Sequence, residues 1–325
     1  MTRVLVVSDR IGDADPPAAG RALGSAFLAA GAGRSLVAVV PAAAGGADLR
    51  RALEALGAEG EWVGHPDPAE LGRLLAAALA ERPRRLYVDL TVLKSDAGAP
   101  LRVLEGAGLT PSGVVALRAR PADGREVDLV GVLPPEAATD PLLGIDGVAA
   151  RQGFLTLTPA AEVLRHDATL AALAADLGVP DAPGLGAARG AALVVAALGG
   201  RLATGFELCA AASGLARSVA VADLVVAGTD TFTVGDFGGP VVIGLAALAS
   251  EGGAPVLALA REVAISTREL RRHGIEAAHA LGGGVAPAAS VIAERALPVA
   301  RSWHQAAGGE PERLRALPVA RSWLR

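Results

Sequence analysis

The chain has 325 residues, 52% of them hydrophobic, 20% charged and only 3% aromatic, with a net charge of −4 at pH 7. So much apolar content with so little net charge excludes a disordered chain. Basic and acidic residues, 30 against 34, leave no field for nucleic acid, and few aromatics are available to stack bases. The lone Cys209 excludes a disulfide framework or a cysteine zinc site and fits a reducing compartment. The opening apolar run Val4–Val7 is too short for a signal-peptide core. Gly190–Gly200, the longest apolar or small stretch, falls below the roughly eighteen residues that span a bilayer. A soluble, cytoplasmic protein with no membrane or nucleic-acid partner is expected.

In chain order, Val4–Ser8, Leu36–Val40, Leu86–Leu90, Val127–Leu133, Leu224–Ala227 and Val256–Ala260 read as buried strands. Between them Ala18–Ala30, Leu49–Leu56, Ala69–Glu81, Ala160–Ala175, Val241–Ser250 and Thr267–His273 carry apolar residues at helical spacing. Strand–helix alternation from end to end predicts an α/β fold with parallel sheets covered on both faces. Turn-rich breaks fall at Gly64–Pro68, Pro121–Gly124, Pro134–Pro141 and Gly178–Gly186. The last, with two prolines and three glycines, is where a change of structural unit is expected.

The nonamer Arg-Ala-Leu-Pro-Val-Ala-Arg-Ser-Trp occurs at 295–303 and again at 315–323. Two copies do not make a solenoid, which needs at least three stacked units. A tandem duplication with a loosely held second copy is one reading. Competition of the second copy for the groove of the first, within a chain or between chains, is the other. Truncation after His304 separates them: unchanged stability and oligomeric state would remove the competition.

Loops at the carboxyl ends of parallel strands form the ligand crevice of such folds. Gly45 and Gly46 follow the second predicted strand and Gly228 follows Leu224–Ala227, where backbone N–H groups and a helix N-terminus suit an anion. Turn or cap duty is the structural alternative. Asp9, Asp89, Asp96, Asp140, Asp230 and Asp236 lie at predicted strand ends or nearby turns, where carboxylates can hold a divalent metal or act as a base. Helix capping is the alternative role for each. Lys94, the only lysine, adjoins Asp96 and can neutralise phosphate charge. The five histidines show no metal-ligand spacing, and no Gly-x-Ser-x-Gly elbow is present.

Longer motifs carry a resemblance. Ala222-Asp-Leu-Val-Val-Ala-Gly-Thr-Asp-Thr-Phe-Thr-Val-Gly-Asp-Phe-Gly-Gly-Pro-Val-Val-Ile-Gly-Leu-Ala246 aligns without gaps on A-D-L-V-V-T-G-E-G-S-F-D-x-Q-S-L-R-G-K-V-V-x-G-V-A. Pro183-Gly-Leu-Gly-Ala-Ala-Arg-Gly-Ala-Ala-Leu resembles P-G-A-G-A-A-G-G-L-G-A, and Thr204-Gly-Phe-Glu-Leu resembles S-G-I-E-L. Asp140-Pro-Leu-Leu-Gly-Ile-Asp-Gly is similar to N-P-L-L-G-x-x-G, Lys94-Ser-Asp-Ala-Gly-Ala to T-N-D-A-G-A, and Val40-Pro-Ala-Ala-Ala-Gly-Gly to L-P-x-S-D-G-G. These patterns, whose order along the chain is preserved, resemble those of the bacterial glycerate kinase family, and they cover most of the chain.

The resemblance implies two α/β domains, a Rossmann-like parallel sheet from 1–62 plus 215–304 and an inserted α/β domain from 63–214. A tail, 305–325, carries the second nonamer. It implies ATP-dependent phosphoryl transfer to glycerate or a similar small hydroxy acid, with Mg2+. The implied partners are that hydroxy acid or a nucleotide, and a second copy in a homodimer. Carried onto this sequence, the site would use Asp96, Asp230 and Asp236 in catalysis and Asp9 and Asp140 at the metal. Gly45, Gly46, Lys94, Gly186, Gly228 and Gly239 would lie on the cofactor.

Polar positions depart from the pattern. Thr229 and Thr233 stand at acidic positions, Gly235 replaces a Gln, Asp236 a Ser and Pro240 a Lys. Ala44 replaces the acidic residue before the glycine pair, and the Gln-Lys after N-P-L-L-G is missing near Phe154. Phosphoryl transfer needs positioning and charge neutralisation around the moving group. The departures predict activity impaired or lost, or a non-catalytic paralogue that binds a ligand or regulates a partner.

Overall fold

A computed structural model of the chain describes residues 1–94, 98–118, 127–282 and 288–306. Asp96, the predicted turn Pro121–Gly124 and the second nonamer copy lie outside the described residues. The fold is α/β, with two all-parallel sheets whose apolar runs are buried because helices cover both faces. The chain divides into two units.

The first unit comprises Met1–Ala58 and resumes at Phe206. Its sheet is built from β1 (Thr2–Ser8), β2 (Ser35–Pro41), β7 (Leu224–Thr233), β8 (Val256–Ala264) and β9 (Ala277–Ala280), in the order β2-β1-β7-β8-β9. The N-terminal strand therefore shares a sheet with strands after 220, pairing Val4 with Leu224 and Ser8 with Gly228. One face packs Val4, Val6, Val39, Val226 and Leu259 against α1 (Pro16–Gly31) and α13 (Ala289–Ala306) through Leu23, Phe27, Ile292 and Ala300. Helix α11 (Gly239–Gly252) buries Val241, Val242 and Leu245. Pro16 and Pro17 open α1 behind the Asp15 cap, whose carboxylate accepts from the Ala18 N–H at 3.0 Å. The first nonamer copy lies in α13, with Ala296 and Ala300 fully buried.

The second unit, Glu59–Gly205, holds β3 (Glu61–Val63), β4 (Arg85–Asp89), β5 (Asp128–Leu133) and β6 (Arg201–Thr204), in that order across the sheet. Leu86, Val88 and Leu129 form its core with Leu71 and Leu75 of α3 (Pro68–Glu81), Val103 of α4 (Ala99–Gly106) and Val195 of α8 (Ala192–Ala197). Helices α6 (Val148–Thr156) and α7 (Ala160–Asp176) pack on one another. The Gly178–Gly186 segment lies inside this unit: Gly184 and Gly186 both donate backbone N–H bonds to the Asp140 carbonyl at 3.0 Å.

Two details correct the sequence expectation. Gly228 does not follow a strand ending at Ala227, because β7 runs on to Thr233. There Thr231, Phe232 and Thr233 pair with Glu262, Val263 and Ala264 of an equally extended β8. Burial of Phe232 explains the extension of this otherwise polar stretch. The short strands β3, β6 and β9 were not legible, since three or four residues are too few for a periodic signal.

Candidate functional site

In the first unit the chain runs from β1 to β2 on one side and continues through β7 and β8 on the other. Where strand order reverses in this way, the carboxyl ends of the central strands form the binding crevice. Polar residues gather at that edge. Asp9 and Arg10 follow β1, Asp48 lies in the first turn of α2 (Gly46–Ala55), and Asp230 and Arg261 sit on β7 and β8.

Their pairing is specific. Arg10 donates from Nε and Nη2 to the two Asp48 oxygens at 2.8 and 2.5 Å. Arg261 donates from Nε and Nη2 to Asp230, both at 2.9 Å, and the Gly12 N–H adds a third bond to Asp230 at 2.7 Å. The Arg261 guanidinium, with the Gly12 N–H, holds the Asp230 carboxyl below the usual carboxylate range despite partial burial. Such two-pronged charge-assisted bonds fix both partners in a plane.

Asp9 is different. Burial, with Asp48 and Asp230 nearby, pushes its carboxyl up to about 6, against the Arg10 N–H and the Arg10 charge. A carboxylate with that affinity is placed to take a proton from a hydroxyl near neutral pH. Ser8 donates its hydroxyl to the Asp9 carbonyl at 2.8 Å, and the Asp9 N–H donates to the Gly228 carbonyl at 2.9 Å. A Cβ on Gly228 would lie 2.3 Å from Ser8 Oγ and 2.7 Å from Leu23 Cδ1. Gly228 thus lets β1, β7 and α1 close up beneath Asp9. Cys209, fully buried with its thiol pushed up to about 12 by burial, is no nucleophile.

The second unit holds a cavity of about 310 Å³, lined among others by Glu136, Asp140, Arg151, Leu155, Gly186 and Arg189. Arg151 forms an ion pair with Asp140. A Cβ on Gly186 would lie 2.3 Å from the Pro141 carbonyl oxygen, so only glycine fits beneath this wall. Ala188 (φ 50°) and Arg189 (φ 56°) both adopt left-handed backbone, which costs about 1–3 kcal/mol for each residue that is not glycine.

The residues predicted from sequence are thus distributed. Asp9, Asp230 and Gly228 come together in the first unit, and Asp140 and Gly186 in the second. Gly45 and Gly46 open α2, and Gly239 opens α11. Asp236 organises the turn before α11. Burial opposes its charge, but the Thr233 and Gly238 N–H groups and the Thr231 hydroxyl hold its carboxyl below the usual range. Lys94 is exposed, its backbone N–H donating to the Pro66 carbonyl at 2.8 Å. Arg10, Asp48, Arg151, Arg189 and Arg261 were missed. The available signals were an arginine within two residues of the end of each of two buried apolar runs, and one interrupting a glycine-rich stretch.

The donor set does not suit a divalent cation. Asp48 and Asp230 face guanidinium groups, and Asp140 faces Arg151. Among the described residues, no three His, Cys, Asp or Glu side chains group so as to hold an ion. No described helix is long and apolar enough to cross a membrane.

Two uncharacterised proteins, from Mycobacterium bovis and Mycobacterium tuberculosis, are each 33% identical over 214 residues, which is 64% of this chain. The match covers 53% of each relative, so the chain spans about half the length of the curated relatives it matches. A crystal structure from Salmonella typhimurium LT2, provisionally named glycerate kinase 2, superposes with a TM-score of 0.62. At 18% identity, the match covers 94% of this chain and 98% of the other, and it shows a shared fold. Residues 137–308 match the model of the glycerate kinase family, and the chain belongs to that family.

Proposed function

We propose that this glycerate kinase-family chain binds a small hydroxy acid or a nucleotide while its phosphoryl-transfer activity is impaired or lost. One observation carries the reading: Asp48 and Asp230, at the carboxyl edge of the sheet, each accept two bonds from an arginine. Kinase chemistry rests on a metal ion and positive groups arranged around the transferred phosphoryl. A carboxylate closed on a guanidinium has its charge compensated and one lone pair of each oxygen engaged. Each electrostatic contact missing from the transition state is worth about 3–4 kcal/mol, so two together remove several orders of magnitude in rate. Pro240 in place of a lysine and the exposed position of Lys94 support the same reading.

Asp9 favours a second reading, a weakly active kinase that keeps its base, since its carboxyl at about 6 suits proton abstraction from a hydroxyl. A coupled ADP-release assay with ATP, Mg2+ and D-glycerate, run beside thermal shifts with each ligand alone, tests the proposal. The expected outcome is stabilisation by at least one ligand without turnover. Turnover at an ordinary kinase rate, about 1–100 per second, overturns the impaired reading. Stabilisation by neither ligand overturns the binding reading.

A further inference from the structure

We propose that the cavity of the second unit is a binding site for a small oxyanion, a carboxylate or phosphate group, received by Arg189. The proposal rests on the ligand-binding part of the proposed function, since Asp140 and Gly186 of the implied site line this cavity, and not on phosphoryl transfer. Arg189 is half-buried on the cavity wall, and among the described residues it has no ion-pair partner. The other arginine there, Arg151, is already closed on Asp140. Glu136, the remaining acid of the lining, is exposed. Arg189 therefore supplies a cation that has no ion-pair partner among the described residues to a concave site whose other cation is already paired.

The backbone points the same way. Arg189 (φ 56°, ψ 35°) follows Ala188 (φ 50°, ψ 44°) and precedes Gly190 (φ 88°), three left-handed residues in succession. In the motif this stretch resembles, the Arg189 position is a glycine, which takes up such a backbone without strain. Arginine adds nothing to the turn and introduces a planar, permanently charged fork suited to carboxylate or phosphate. Size narrows the ligand: about 310 Å³ lies at the small end of ligand pockets and fits an acid of a few carbons. Val148 and Leu155 provide an apolar wall for its carbon skeleton.

The test uses calorimetric titration of the full chain with inorganic phosphate and with D-glycerate, against sodium chloride at matched ionic strength. Arg189→Gly removes the charge and relieves the backbone. It is expected to weaken binding at least tenfold while leaving Tm equal to or above that of the parent. Arg189→Gln serves as a second variant should the glycine loosen the turn. Phosphate binding alone identifies a phosphate-bearing ligand, and glycerate binding alone a carboxylate. Either, lost in both variants, supports the site. Binding of neither anion to the parent, or equal affinity in the variants, overturns it.

Discussion

Replacing Asp9 by Asn is expected to stabilise the protein at neutral pH and to have no effect in acid. Burial, reinforced by the charges of Asp48 and Asp230, raises the Asp9 carboxyl from 3.8 to about 6. The fold therefore favours the neutral form. Below 3.8 both folded and unfolded chains hold the proton and the site contributes no penalty. Between 3.8 and about 6 the unfolded chain ionises first, and stability falls as pH rises. Above that window the penalty is complete, and at 1.36 kcal/mol per unit it reaches about 3 kcal/mol. Asn retains an oxygen to accept the Arg10 N–H, which lies 2.7 Å from the carboxylate, and carries no charge. D9N should thus gain about 2–3 kcal/mol near pH 7.5 and nothing below about pH 4. Urea unfolding across that range measures the difference directly. A variant no more stable than the parent at neutral pH, or one with the same advantage in acid, would refute the placement of a disfavoured charge at this edge.

Other perturbations probe the packing and the pairing. Gly228→Ala sets a methyl group against Ser8 and Leu23 and should cost about 1–3 kcal/mol, read as a lowered urea midpoint at unchanged slope. Phe27→Ala opens the fully buried contact of α1 with the sheet, beside the His304 ring. A loss of about 3–5 kcal/mol is expected, and a value under about 1 kcal/mol would contradict the core assignment. Arg10→Ala with Arg261→Ala removes the two-pronged partners of Asp48 and Asp230 beside Asp9, leaving Arg51 at 3.7 Å from Asp48 and the Gly12 N–H on Asp230. The double variant should acquire an Mg2+-dependent rise in Tm of about 2 °C or more that the parent lacks. An equal Mg2+ response in both proteins would show that the arginines do not displace a cation.

Much of the fold was legible because burial on both faces writes itself as uninterrupted runs. Val4–Ser8, Leu36–Val40 and Val256–Ala260 fall within strands, Leu86–Leu90 overruns β4 by one residue, and the parallel pairing follows from the helices between them. The glycerate kinase motifs were likewise readable in the chain itself. What the runs do not encode is where a strand stops once its neighbour supplies hydrogen bonds. Thr229–Thr233 reads as a polar loop, and it became strand because β8 extends beside it and Phe232 is buried there.

The site divides the same way. Local sequence placed acidic residues at predicted strand ends and turns; Asp9 does follow β1, whereas Asp230 lies within the extended β7. Tertiary structure decided what those carboxylates face, because an ion pair such as Arg10 with Asp48 or Arg261 with Asp230 joins residues far apart in the chain. The composition records one lysine and many arginines without saying which cations have partners. Folding closes Arg10, Arg151 and Arg261 on acids and leaves Arg189, on a left-handed backbone, facing a cavity. Apolar periodicity is a local property of the chain, whereas charge compensation belongs to the folded surface.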